Sequence, residues 1–192
     1  MPSTSTRDRL LDALEELLVA SGPGAVTLDA VAAAAGVSKG GLLYHFRSKD
    51  ALVAGLLERL RLRGAEDVER MRADPAGAVS YYLRTSASAL EEGPLHRTMV
   101  AALSLAQSSS GPARETLGVL NDAWYALLRE EVGDARLARL VQLVGDGMWL
   151  AASTGGEPDD VDDIVGLLRA VGHPPQITLR NDSSRPVSSA RD

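Results

Sequence analysis

Between Thr27 and Lys49 lie side chains that are able to bind a polyanion. Lys39, Arg47 and Lys49 are cationic, and no acidic residue lies between Lys39 and Lys49. Cationic and hydroxyl groups donate to phosphate oxygens, and a lysine can also donate to guanine O6 and N7 in the major groove of DNA. The residues predicted to contact DNA are Thr27, Ser38, Lys39, Gly40, Gly41, Tyr44, His45 and Lys49.

Different residues of this set are predicted to contact the bases and the phosphates. Lys39, Gly40 and Gly41 are predicted to face the bases. A glycine costs a helix about 1 kcal/mol relative to alanine, and such a cost suits a position where the backbone must approach DNA closely. Thr27 and Lys49 are predicted to meet phosphates, because both lie at helix N-termini, where backbone N–H groups and the helix dipole favour an anion.

Two short helices must hold these residues. Gly36 is expected to provide a left-handed turn between a helix that follows Thr27 and another that Ser38 caps and that runs to about Phe46. Ser48 is predicted to cap a longer fourth helix. The apolar residues expected to lock the two short helices together are Val31, Ala35, Val37 and Leu42. This order is typical of a helix-turn-helix, whose second helix enters the major groove.

The composition favours an all-α fold. Of 192 residues, 45% are hydrophobic but only 4% are aromatic, so Leu, Val and Ala must form most of the core. Ala and Leu are among the best helix formers. The chain contains no cysteine, which excludes disulfides and thiolate metal sites, and its net charge is −6. Without an apolar run of about 20 residues or a signal-peptide pattern, the protein is expected to be cytoplasmic and to have no membrane partner.

Apolar periodicity, with breaks at Gly and Pro, predicts about nine helices, three of them in an N-terminal module over residues 1–50. A C-terminal helical bundle is expected over 51–172 and a disordered tail over 173–192. The helices predicted after the fourth cover residues 75–91, 95–109, 112–131, 134–153 and 159–171. Glu15 lies off the apolar face of the first helix, and Arg63 is expected on a solvated outer face of the fourth.

From Arg9 to Leu56 the sequence resembles the tetracycline-repressor (TetR) family of bacterial regulators. The resemblance lies in Thr27-Leu-Asp-Ala-Val-Ala, in Ala35-Gly-Val-Ser-Lys-Gly and in Tyr44-His-Phe-Arg-Ser-Lys-Asp-Ala-Leu. It implies an all-α homodimer in which the C-terminal domain binds a small-molecule effector and forms the dimer. It also implies a repressor that the effector releases from double-stranded operator DNA.

The segment departs from the family pattern at Leu43. Many relatives have a tyrosine at that position, whereas in this chain Tyr44 follows it. One interpretation is that Leu43 is a core residue and that Tyr44 makes the phosphate contact. Tyr44 and His45 can also reach a thymine methyl group. Taken singly, Tyr44 can instead pack the module, and His45 can lie on the surface or cap a helix.

Beyond residue 75, the remaining aromatic and soft side chains are candidates for an apolar ligand pocket between helices. The predicted pocket residues are Tyr81, Tyr82, His96, Met99, Trp124, Tyr125, Met148 and Trp149. The alternative for each of them is a place in the core. His96 has no acid or second histidine nearby in the sequence, so no metal, cofactor or catalytic site is predicted.

The last two predicted helices carry apolar stripes that suit a four-helix dimer interface. The stripes consist of Leu137, Leu140, Val141, Val144, Met148 and Ala151, and of Ile164, Leu167, Leu168 and Val171. Gly145 and Gly147 are expected to permit close approach of the helices. An intramolecular bundle is the alternative, but a two-fold operator requires a dimer, which favours the interface.

Together these features predict a DNA-binding transcriptional regulator. Its ligand is expected to move the fourth helix and so to change the spacing of two recognition helices. The alternative is a helical enzyme that acts on a small apolar substrate. Since the sequence contains no nucleophile motif, phosphate-binding loop or paired metal ligands, no enzyme activity is expected. An architectural DNA-binding protein without a ligand fits neither the acidic charge nor the large C-terminal part.

Overall fold

The computed structural model describes residues 5–88, 93–108, 110–155 and 160–172, and the predicted tail lies outside them. Over these ranges the chain forms nine α-helices and one turn of 3-10 helix, Pro23–Ala25, with no β-strand. The helices are α1 Thr6–Ser21, α2 Leu28–Ala34, α3 Lys39–His45, α4 Lys49–Ala73, α5 Ala78–Ala87, α6 Pro94–Gln107, α7 Gly111–Val132, α8 Ala135–Ser153 and α9 Val161–Gly172. The predicted all-α fold is confirmed. None of these helices combines the length and the apolar character needed to cross a bilayer.

Local capping rules set where the N-terminal helices begin. The side-chain oxygens of Thr27, Ser38 and Ser48 each accept the backbone N–H three residues further along, at 3.0–3.1 Å. Each such cap stabilises its helix by about 1 kcal/mol. Gly36 has a φ of 65° at the turn between α2 and α3. The predicted caps and the predicted left-handed turn are therefore confirmed.

Helix α3 is held from its inner side by Leu42 and Phe46, which are 0% and 4% exposed. Phe46 packs over Gly55 of α4 so closely that a Cβ there would lie 2.6 Å from the ring atom Cε1. Val31 of α2 and Leu52 of α4 are fully buried in the same core. The orientation of α3 relative to α4 therefore depends on this packing.

Helix α4 connects the N-terminal module to the C-terminal bundle. It packs against α1 on one side and against α5, α6 and α7 on the other. Leu52, Leu56 and Leu60, spaced by four residues, are fully buried along it. One continuous helix of 25 residues therefore belongs to both parts.

Helices α5 to α9 form the bundle, in which α8 packs against α5 and α7, and α9 against α5. The prediction that α5 starts at residue 75 is wrong, because the chain turns between Asp74 and Gly77. Asp74 Oδ1 accepts the N–H of Ala76 at 2.8 Å, and Gly77 has a φ of 91°. The other predicted C-terminal helices begin within two residues of their observed starts.

Candidate DNA-binding face and ligand cavity

Helix α3 has one buried side and one open side. Leu42 points inward, whereas Tyr44 is 85% exposed and its ring meets that of the exposed His45 edge to face. Leu43 is 39% exposed, so its interpretation as a core residue is wrong. The reason is that Leu42 and Phe46, one turn apart, already occupy the inward side. Leu43 and Tyr44 both belong to the open side.

Lys39 lies in the first turn of α3 and pairs with Asp29 of α2. Its Nζ is 3.0 Å from Asp29 Oδ1, and the two side chains are 58% and 68% exposed. An ion pair this exposed contributes less than about 1 kcal/mol and is screened by salt. Exchange of Asp29 for a phosphate or a guanine edge therefore costs little, and Lys39 is suited to donate to DNA.

Three other residues predicted to contact DNA have partners within the protein. The hydroxyls of Thr27 and Ser38 cap α2 and α3. Lys49 Nζ donates to the carbonyl of Val26 at 2.7 Å and to that of Pro23 at 3.4 Å. Lys49 thus holds the segment before α2 against the start of α4, a contact that its position in the sequence does not reveal.

Gly40 and Gly41 bring the backbone of α3 to the surface. A Cβ at Gly40 would have Ser38 Oγ, 3.9 Å away, as its nearest neighbour. At Gly41 the same oxygen would be 3.3 Å away. The described part of the protein therefore leaves room for a side chain at residue 40, which agrees with a need for close approach to DNA.

A cavity of about 790 Å³ lies among α4, α5, α6, α7 and α8. Six of the eight predicted pocket residues line it, namely Tyr81, Tyr82, His96, Met99, Trp124 and Trp149. Tyr125 and Met148 are not part of its wall. Met148 is 7% exposed inside the bundle, and Tyr125 donates its hydroxyl to the carbonyl of Ala135 at 3.1 Å. The cavity has the size of sites that hold drug-like molecules.

Two carboxylates accept the hydrogen bonds of three aromatic side chains in the cavity wall. Tyr81 donates to Asp67 Oδ1 at 2.8 Å, and Trp124 Nε1 donates to Asp67 Oδ2 at 2.9 Å. Tyr82 donates to Asp146 Oδ1 at 2.7 Å. Burial, and then these hydrogen bonds, raise the pKa of both tyrosines above the usual value. Both hydroxyl groups therefore stay protonated.

His96 and Trp149 form a second aromatic pair, with ring centroids 5.3 Å apart. Trp149 Nε1 donates to His96 Nδ1 at 2.9 Å. Because Nδ1 accepts this bond, the proton of the imidazole belongs on Nε2. In the described part of the chain, no group of three or more His, Asp or Glu side chains is placed to hold a metal ion.

Sequence reasoning missed Asp67 and Asp146. Carboxylates on long charged helices usually face solvent, so neither residue was a candidate. Spacing is the signal that could have found them. Asp67 continues the inner stripe of α4 between Leu60 and Met71, both fully buried, and Asp146 lies three residues before Trp149.

An ion cluster joins α1 to α4. Arg59, 8% exposed, lies 3.1 Å from Asp8, 2.6 Å from Asp12 and 3.3 Å from Glu15. Glu15 is only 2% exposed, although its position in the sequence placed it off the apolar face of α1. It can be buried because two arginines of α4 compensate its charge.

The same carboxylate extends the cluster to α6. Arg63 Nη1 lies 3.0 Å from Glu15 Oε1 and donates to the carbonyl of Pro94 at 2.9 Å. Thr98 Oγ1 donates to Glu15 Oε1 at 2.8 Å and also accepts from Arg63. Arg63 is 24% exposed, so its prediction as part of a solvated outer face is wrong. Helix α6 covers it.

Only part of the predicted dimer stripes is exposed. Val141, Met148 and Leu168 are 1%, 7% and 7% exposed, and their prediction as interface residues is wrong because they pack within the chain. Gly145 likewise faces the ring of Tyr82, where a Cβ would clash. The exposed leucines are Leu140, Leu143 and Leu150 on one face of α8, of which Leu150 also lines the cavity, and Leu167 on α9.

An exposed recognition helix on an all-α chain, joined to a bundle with an aromatic cavity, defines a DNA-binding regulator of the helix-turn-helix class. Residues 10–56 match the family model of bacterial regulatory proteins of the tetR family. Residues 76–171 match the model of the tetracyclin repressor-like C-terminal domain. The chain therefore belongs to the TetR family and is a DNA-binding transcriptional regulator. No curated protein sequence matches it.

Solved structures share the fold over most of the chain. A TetR family member from Streptomyces coelicolor is 25% identical with a TM-score of 0.67, covering 88% of this chain and 98% of its own. NalD, the secondary repressor of the MexAB-OprM multidrug efflux pump in Pseudomonas aeruginosa, is 22% identical with a TM-score of 0.62 and coverages of 85% and 93%. SmeT, solved with triclosan, is 19% identical with a TM-score of 0.66 and coverages of 97% and 100%.

Proposed function

We propose that this chain is a repressor that binds a two-fold operator as a homodimer and leaves it when a small molecule fills the cavity. In this proposal residues 1–50 bind DNA through the open side of α3. Residues 51–172 bind the effector and form the dimer. The protein acts in the cytoplasm and has no enzymatic activity.

The observation that carries this proposal is that Pro94 belongs both to the cavity wall and to the contact between α6 and α4. Pro94 lines the cavity, and its carbonyl accepts the Arg63 hydrogen bond at 2.9 Å. One turn further along α6, Thr98 donates to Glu15 of α1, and the next residue, Met99, lines the cavity. Helix α6 therefore faces the cavity on one side. On its other side it contacts the two helices that support the recognition helix.

Displacement of α6 is then expected to change the spacing of the recognition helices. Two half-sites on DNA accept recognition helices at about 34 Å or a multiple of it, so the bound arrangement is geometrically narrow. A ligand can bind more tightly to a protein arrangement with a different spacing of the recognition helices. Such a ligand lowers the fraction of protein that is able to bind DNA, to an extent set by the ratio of its affinities for the two arrangements. Because α4 is continuous from the cavity wall to the module, it transmits the displacement.

The exposed stripe of α8 supports the dimer. Leu140, Leu143 and Leu150 lie on one face of the helix, with Gly147 between them, and Leu167 of α9 is 67% exposed. Contiguous apolar surface on a folded chain marks an interaction site. Two copies of α8 and α9 related by a two-fold axis give a four-helix interface that covers these leucines.

Operator binding tests the proposal directly. Fluorescence anisotropy with labelled DNA from the flanks of the gene, at a stated salt concentration, is expected to give tight binding by the wild type. Lys39→Ala and Tyr44→Ala are expected to weaken it by about tenfold or more through lost base and phosphate contacts. Arg129→Ala, which removes an exposed cation of α7, serves as the matched control. No binding by the wild type, or equal binding by the two α3 variants, would contradict the proposal.

A further inference from the structure

The cavity wall concentrates the aromatic side chains of the chain. Tyr81, Tyr82, Trp124 and Trp149 line it, and they are four of the seven Phe, Tyr and Trp residues in the sequence. The rings of Tyr82 and Trp124 have centroids 6.0 Å apart and are tilted by 58°. Aromatic faces carry negative quadrupole charge and attract a cation within about 6 Å of the ring centroid.

Hydrogen bonds within the wall occupy every donor of its four aromatic side chains. The hydroxyl and indole N–H groups of the four aromatic residues are all directed at acceptors of the protein. Asp67 uses both its oxygens on Tyr81 and Trp124. Asp146 is exposed, and only its Oδ1 receives a hydrogen bond from the described residues, from Tyr82. Its Oδ2 is therefore open to a ligand donor or cation.

The charges of the described wall residues also favour a cationic ligand over an anionic one. Arg70 is the cationic residue among those that line the cavity, and its Nη2 lies 3.5 Å from Asp67 Oδ1. Within the described ranges Asp146 has no ion-pair partner. His96 Nδ1 accepts from Trp149, so this nitrogen has no proton to offer an anion. An anion would meet carboxylates without a free positive charge, whereas a cation would be compensated.

We propose that the effector of this cavity is an organic monocation, with an ammonium or delocalised cationic head on an apolar or aromatic body. The inference rests on the proposed ligand-responsive function and names the chemical class of its ligand. The head lies at Asp146 against the faces of Tyr82 and Trp124. The body lies against the apolar part of the wall, formed by Leu95, Met99, Leu103 and Leu117.

Direct binding without DNA tests the ligand class. Three probes share one phenylbutyl body and differ in the head: 4-phenylbutyl-trimethylammonium, 4-phenylbutanol and 5-phenylpentanoate. Fluorescence of Trp124 and Trp149, which both line the cavity, reports binding, and calorimetry checks it. We expect the ammonium probe to bind about tenfold or more tightly than the alcohol and the carboxylate to bind weakest, because cation–π attraction and the carboxylate favour only the first.

Asp146→Asn tests which residue recognises the head. The variant keeps the shape of the side chain and removes its charge, so we expect ammonium affinity to fall by about tenfold while alcohol affinity stays within about twofold. Asp122→Asn is the matched control, because it removes an exposed carboxylate of α7 that does not line the cavity. Equal loss in both variants would mean that only the overall charge acts, and would overturn the role of Asp146.

Failure of the ligand class can be distinguished from failure of the repressor function. No binding of the ammonium probe, or alcohol or carboxylate binding as tight as that of the ammonium, overturns the ligand class. If neutral or anionic compounds then release the protein from its operator, the repressor function is supported and only the proposed ligand class is wrong. If the protein binds no operator, the repressor function fails, and the affinities of the three probes still decide the chemistry of the cavity.

Discussion

Arg63 Nη1 and the carbonyl oxygen of Pro94 are joined by a hydrogen bond of 2.9 Å, which connects the helix that runs into the DNA-binding module to the helix that forms one wall of the cavity. Glu15, 2% exposed, completes the link from α1. Separation of a buried ion pair is costly, because each charge that loses its partner stays desolvated. Movement of α6 is therefore expected to be passed to α1 and α4.

Thr98→Val is expected to weaken this link without changing the cavity. The variant keeps the size of the side chain but removes the hydroxyl that donates to Glu15 at 2.8 Å. A buried acceptor that loses one donor costs about 1–3 kcal/mol. Since Thr98 does not line the cavity, ligand affinity should stay at the wild-type value, while operator release should need more ligand. Titration of an operator complex with a cavity ligand, followed by anisotropy, measures the change.

Thr116→Val is the control for this experiment. Thr116 is also a buried threonine, but within the described residues its hydroxyl donates to the carbonyl of Pro112, in the same helix α7, at 2.9 Å. If Thr98→Val released the operator at the same ligand concentration as Thr116→Val and the wild type, the Thr98 hydroxyl would have no part in the link.

Arg59→Met is expected to destabilise the protein by about 3 kcal/mol, because it removes a buried partner of Glu15 and leaves the acidic groups of α1 facing each other. Arg61→Met, two residues further on, removes an exposed cation paired with Glu58 at 3.3 Å and is expected to cost less than about 1 kcal/mol. Urea unfolding followed by circular dichroism measures both values. Equal losses would show that the cluster contributes no more than a surface pair.

Gly40→Ala is expected to separate stability from DNA binding. A methyl group at this position meets only Ser38 Oγ, at 3.9 Å, so the folded protein should gain about 0.5–1 kcal/mol from helix propensity. The same methyl group is expected to obstruct the approach of α3 to the bases and to lower operator affinity. Gly118→Ala, which adds its methyl group to the cavity wall on α7, should give the stability gain alone in the ligand-free protein. An unchanged operator affinity in Gly40→Ala would remove the argument for close approach.

The doubly substituted Leu140→Arg/Leu143→Arg protein is expected to be a monomer. These leucines of α8 are 42% and 61% exposed and do not line the cavity, so charge at these positions leaves the fold intact and repels a second copy. Leu62→Arg, at a leucine of α4 that is 59% exposed, is the control and should stay dimeric. Sedimentation equilibrium measures the mass. A dimer in the double variant would place the interface elsewhere.

Residues close together in the sequence were the ones whose structure could be predicted. Ser38 as a cap, Gly36 at the turn and the inward side of α3 depend on neighbours within a few positions, so local rules apply. Leu43 was different, because the pattern of a family shows which residue type is usual at a position and not which side of a seven-residue helix it occupies.

Contacts between distant helices could not be predicted. Glu15 and Arg63 are 48 residues apart, and Thr98 lies on a third helix. A helical period shows that a charged residue lies off the apolar stripe, but not whether another helix covers it. The same limit applies to α8, where Val141 faces the bundle and Leu143 faces solvent, although both are apolar.

Operator affinity at saturating ligand tests the central claim most directly. The ligand is a compound whose binding raises the melting temperature and changes the fluorescence of Trp124 and Trp149. We expect wild-type operator affinity to fall by about tenfold or more, with a midpoint that follows the dissociation constant of the ligand. An operator affinity that stays unchanged when the cavity is saturated would contradict control of DNA binding by this cavity.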